Sequence, residues 1–100
     1  MFNKLQKKHG EDFNWFEPSN KIAFEDELKK ELTPLHALFG LALKAIGKND
    51  RNDDVLFTDG ADFYIVHLTW ATAAKDYPYY KKILADDIDT VLIQDYLQGK

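Results

Sequence analysis

No cysteine occurs among the 100 residues. This excludes a disulfide framework, a thiolate metal site and a cysteine nucleophile. It fits a reducing compartment, and a cytoplasmic protein is expected. Proline occurs three times and glycine five times, without the clustering that marks a linker, and no repeat or low-complexity tract interrupts the chain. One domain over residues 1–100 is the expectation. No apolar run approaches the ~18 residues of a membrane span. The opening MFNKLQKKHGEDF has neither the apolar centre nor the small-residue cleavage site of a signal peptide. No membrane partner is therefore expected. An excess of positive charge is also missing, because 13 Lys and Arg face 17 Asp and Glu, a net charge of −4. No segment is basic: residues 1–31 carry six Lys against seven acids, residues 32–75 four basic against five acidic, and residues 76–100 three against five. A phosphate-backbone mode of nucleic-acid binding has little support on these charges.

Several chemical motifs are missing as well. There is no Gly-rich phosphate loop and no G-x-S-x-G. DRNDDVLFTDGA places Asp50, Asn52 and Asp54 like the first ligands of a calcium loop. Val55 then stands where glycine is required and Ala61 where glutamate is required, which excludes calcium. No cofactor is implied.

What is present is aromatic and periodic: seven Phe, five Tyr and two Trp, which argues against disorder. Residues 2–9 suit a short helix with Phe2 and Leu5 on one side. GEDFNWFEPSN (10–20) reads as irregular, with Phe13, Trp15 and Phe16 plugging it onto the core. AFEDELKKELT (23–33) has Phe24, Leu28 and Leu32 four residues apart and reads as a helix. TPLHALFGLALKAIG (33–47) fits either a helix capped by Thr33 and Pro34 or a break at Gly40 followed by a strand. Asn49 to Asp53 form a polar turn. Val55-Leu56-Phe57 and Phe63 to Trp70 read as strands. Asp59-Gly60 between them suits a two-residue type I′ turn, whose two central residues both need positive φ. ATAAKDYPYYKK is a connector broken by Pro78, and a last helix runs over about 86–98 on Ile88, Val91, Leu92 and Tyr96, with Gly99 after its end.

The string His36-x-Leu38-x-Gly40, then Ala45-Ile46, Asp53-Asp54-Val55-Leu56-Phe57 and Val66-His67-Leu68-Thr69-Trp70 resembles a family of small bacterial proteins of unknown function with an H-x-L-x-G, NDDVLF, VHLTW signature. The likeness covers residues 28–70, with a looser echo in the C-terminal helix. It brings no activity, cofactor or partner with it. That family alternates β-branched residues after the glycine, which implies a strand over 41–48. The chain departs after Trp70: Ala71-Thr72-Ala73 replaces Ser-Gly-Lys, and Tyr77-Pro78 replaces Trp-Pro. The expected fold is α+β, a three-stranded antiparallel meander packed by N-terminal and C-terminal helices.

With a two-residue turn, Phe57 faces Asp62, Val55 faces Tyr64 and Asn52 faces His67. One sheet face then gathers Val55, Phe57, Tyr64, Val66, Leu68 and Trp70 as the core. The other gathers Asp54, Leu56, Phe63, Ile65, His67 and Thr69, with Asp54 diagonal to His67. On one reading His67 is a half-buried sheet histidine and Asp54 caps the turn. On the other, Asp54 orients the imidazole and Thr69 lines a pocket used for ligand binding or acid–base chemistry. Trp70 either closes the core or serves as a stacking platform. His36 either packs near a helix end or joins His67 at a metal; the spacing of the two histidines is poor for a ligand set, and no metal is expected. His9 stands alone near the N-terminus. DYPYYKK reads as a surface loop or an interface. The candidate binding residues are thus His67, Asp54, Thr69, Trp70 and His36, with no catalytic residue assigned.

Three functional classes follow. The first is a non-catalytic protein-interaction or regulatory module, an immunity-type role being one version. The second is a ligand-binding protein or enzyme using the Asp54/His67 face. The third is a homo-oligomer joined through an edge strand or through Leu56, Phe63 and Ile65.

Overall fold

The computed structural model describes residues 2–10, 13–71 and 77–98. Residues 72–76 of the expected connector, and Gly99, lie outside them. The organising unit is the antiparallel pair β3 (Asp54–Thr58) and β4 (Phe63–His67). Its loop holds four residues, Asp59 to Asp62, rather than two, so Phe57 pairs with Tyr64, Val55 with Val66 and Asp54 with His67. Asp59 causes the longer loop. Its Oδ1 accepts the backbone N–H of Ala61 at 2.9 Å and of Asp62 at 2.8 Å, while Tyr64 donates its hydroxyl to Oδ2 at 2.8 Å. These bonds lower the Asp59 pKa to about 2. Gly60 takes φ 98 inside the loop, where a side chain would be strained. The register moves by two residues, so side chains keep their expected faces.

The expected three-stranded meander is incorrect. The sheet has five antiparallel strands in the order β1-β2-β3-β4-β5. One added strand is β1 (Trp15–Phe16), which pairs with the end of β2 (Lys44–Asn49). The other is β5 (Tyr79–Ile83), which pairs with β4 across its whole length. Two residues are too few for β1 to show a period, and β5 was hidden by Pro78, which stands just before the strand, where proline is tolerated. The strand reading of 41–48 is right in kind but starts later: 34–40 form turns, and Leu41 is exposed while Leu43 and Ala45 are buried.

Both sheet faces are covered, which separates the expected single core into two. Helix α2 (Lys21–Glu31) and the 33–43 segment cover one face, where Phe24, Leu28, Leu38 and Leu43 meet Val55, Phe57, Tyr64, Val66 and Leu68. Helices α1 (Phe2–His9) and α3 (Ile88–Gln98) cover the other, where Phe2, Leu5, Leu92 and Tyr96 pack with Trp15, Leu56 and Ile83. Leu56 is buried, and Phe63 and Ile65 pack against this second cluster. With Leu56 buried and Phe63 and Ile65 only partly exposed, those three residues do not form an open surface for self-association. A bulge between Ala45 and Gly47 brings Gly47 under the ring of Phe2. A Cβ at that position would overlap the ring, which is why the close approach of α1 needs glycine there.

Candidate functional site

Asp54, His67 and Tyr79 form a row across β3, β4 and β5, since Asp54 pairs with His67 and His67 with Tyr79. Directly opposed residues share a face, and this one looks toward α3. The next row is Leu56, Ile65 and Lys81. From α3 come Val91, Gln94, Asp95 and Gln98, spaced to lie on one side of a helix. Apart from the buried Leu56, these residues together with Tyr80 line an open groove of about 380 Å³, within the size range of small-molecule sites.

His67 Nδ1 lies 2.8 Å from Asp54 Oδ1. A carboxylate can only accept, so Nδ1 carries the proton and the ring presents Nε2 as an acceptor. Nε2 has no hydrogen-bond partner among the described residues. The imidazole is 52% exposed, against 23% for the Asp54 side chain. Such a ring can bind a donor or take a proton. No serine or threonine side chain stands among the groove-lining residues.

The other candidates lie elsewhere. The strand expected to reach Trp70 ends at His67, and the chain then turns toward α2. Thr69 donates from its backbone N–H and its hydroxyl to Glu31 Oε1, each at 2.8 Å, and Trp70 N–H donates to Glu31 Oε2 at 2.8 Å. Thr69 therefore does not line the His67 groove. Trp70 adopts φ 55, is 52% exposed, and meets Phe24 edge-on instead of closing the core. His36 is occupied on both nitrogens: Nε2 donates to the Pro78 carbonyl at 2.8 Å, and Nδ1 accepts from Leu38 N–H at 3.0 Å. It ties the 33–43 segment to the start of β5. Among the described residues no group of three His, Asp or Glu side chains could hold a metal. No helix in those residues is long and apolar enough to cross a membrane.

Glu31 is 1% exposed, and Glu27, one turn earlier, is also buried. Burial raises the Glu31 pKa, but hydrogen bonds from Glu27, Thr69 and Trp70 outweigh it and leave the group below its ordinary value. Glu27 goes the other way, raised first by its hydrogen bond to Glu31 and then by burial and the Glu31 charge.

No family model, curated protein or solved structure matches this chain.

Sequence reasoning missed Tyr79, Lys81, Asp95 and the Glu27/Glu31 pair. The run Tyr79-Tyr80-Lys81-Lys82-Ile83 has the composition of an edge strand and could have been found. Nothing in the spacing of α3 distinguishes Asp95 from a solvated helix residue.

Proposed function

We propose that the chain acts by non-covalent recognition of a partner protein, with the β5 edge as its contact surface. The observation that carries this reading is the state of β5. It is the outer strand of the sheet, and Tyr79, Tyr80, Lys81 and Lys82 are all exposed. The outward backbone groups of an edge strand can be completed by a strand from another chain. Tyr77 packs against Tyr79 with ring centroids 4.6 Å apart, and Tyr80 lies 5.6 Å from His36. Tyrosine gives large contact area at low entropic cost. Lys81 and Lys82 are basic within a chain of net charge −4. They deter pairing between copies of the strand and favour an acidic partner. Neutralising an acidic toxin, as in an immunity-type role, is one form such recognition takes.

The test is affinity capture from native lysate with the wild type beside a Tyr80→Ser, Lys81→Glu variant. The reading expects a stoichiometric partner that the variant loses. No partner, or one retained equally by both proteins, contradicts it.

A second reading is supported by the 2.8 Å Asp54–His67 contact at the groove beside α3. There a small ligand would donate to His67 Nε2, and Asp54 would hold the ring. This reading expects Asp54→Asn and His67→Ala each to weaken binding of a captured small molecule by tenfold or more, about 1.4 kcal/mol. Capture of none from a metabolite extract ends it.

A further inference from the structure

A second groove, of about 340 Å³, opens on the other side of Asp95 and is lined by Asn14, Asn49, Arg51, Asn52, Asp95 and Gln98. The Asp95 carboxylate is fixed through one oxygen only. Its Oδ2 accepts from Asn14 Nδ2 at 2.8 Å, Trp15 Nε1 at 3.0 Å and Asn49 Nδ2 at 3.3 Å. All three donor residues are buried. These bonds explain how β1 and β2 are tied to α3, but they leave Oδ1 without a hydrogen bond from the described residues, and Asp95 forms no ion pair among them. Asn14 is 2% exposed, and with Nδ2 committed to Asp95 its Oδ1 is a buried acceptor that has no donor. Buried polar atoms are almost always satisfied. Opposite charge lines the same groove. Arg51 donates one N–H to the Tyr96 carbonyl at 3.2 Å and holds its guanidinium over the Tyr96 ring at 5.3 Å. The remaining N–H groups of that fork suit a carboxylate.

A simple cation at Asp95 would meet Arg51, and a simple anion at Arg51 would meet Asp95. A ligand with both charges a few ångströms apart satisfies the two together. We infer that this groove binds a free α-amino acid as its zwitterion, with the ammonium on the Asp95 carboxylate and the carboxylate on Arg51. Asn52 and Gln98 complete the wall, so a zwitterion with a polar uncharged side chain, L-glutamine, is the probe. The carboxylate that would receive the ammonium is already held by three bonds from buried donors, so little side-chain freedom is lost on binding. This site is independent of the β5 contact.

The test follows the Trp15 indole N–H and the Asn14 and Asn49 side-chain amides by NMR as L-glutamine is added to the intact chain. Saturable shifts with Kd at or below about 1 mM are expected. N-acetylglutamine, which lacks the ammonium, and glutamine methyl ester, which lacks the carboxylate, should each leave the resonances in place. Arg51→Gln keeps the three bonds to Asp95 Oδ2 and should weaken glutamine binding at least tenfold while the melting curve stays cooperative. No shift with glutamine, equal shifts with either blocked analogue, or undiminished binding by Arg51→Gln overturns the proposal.

Discussion

At Glu31 a buried carboxylate does the work of a turn. Its two oxygens take three N–H and O–H donors from Thr69 and Trp70, all at 2.8 Å, and so hold Trp70 in the left-handed region, which non-glycine residues seldom adopt. Removing the carboxylate leaves buried donors without an acceptor, so Glu31→Ala should cost about 3 kcal/mol in denaturant melts. The two acids respond oppositely to pH. Glu31 lies below the ordinary 4.5, so its contribution is present above that pH and is lost as pH falls through the lowered value. Glu27 lies above 4.5, so its contribution is present below that pH and is lost as pH rises through the raised value. Glu27→Gln keeps a donor to Glu31 at every pH. It should therefore flatten the part of the pH–stability profile that comes from Glu27, whereas an unchanged profile would contradict the raised Glu27 pKa. The sequence shows why these roles were missed. Glu27 and Glu31 sit in EDELKKE, which reads as a solvated helix face, and only the arrival of the residue 69–70 backbone makes them buried. Thr69 and Trp70 are candidate binding residues on the sequence alone; in the structure their donors serve the Glu31 carboxylate.

The elements were legible where a period was long enough to read. Phe2 and Leu5 mark α1, Phe24 and Leu28 mark α2, and Ile88, Leu92 and Tyr96 mark α3, and all seven are buried. The alternation of Val55, Phe57, Tyr64 and Val66 gave the α2-side core even though the turn was two residues too short, because a shift of two preserves side-chain faces. The same shift moved Asp54 from diagonal to directly opposite His67, which sequence alone could not decide. The second core was not legible, since Asp54, Leu56, Phe63, Ile65, His67 and Thr69 mix polar and apolar residues, and α3 covers only the apolar end. Gly47 tests that packing. Gly47→Ala must displace the Phe2 ring from its seat, and the loss is bounded by the burial of one aromatic side chain, about 1.5–3 kcal/mol. Hydrogen exchange should speed in α1 while β3 and β4 stay protected. Uniform exchange across the molecule would show that α1 is not held through Phe2.

On the scale of the whole molecule, charge and exposure are unevenly placed. The sheet is closed on both faces by helices, one edge is the two-residue β1, and the other edge is β5 with its lysines and tyrosines. Among the described residues the β5 edge adjoins the 33–43 segment through the His36–Pro78 hydrogen bond, and Leu35 and Phe39 of that segment are also exposed. Ionic contacts at an exposed edge weaken with salt, so capture should fall as ionic strength rises. The most direct measurement is amide hydrogen exchange along the chain with the captured partner bound. Added protection confined to Tyr79–Ile83 and the adjoining residues 35–39 is the result expected. Protection confined instead to α3 and to Asp54, Ile65 and His67, and absent from β5 at saturation, would contradict recognition through the sheet edge.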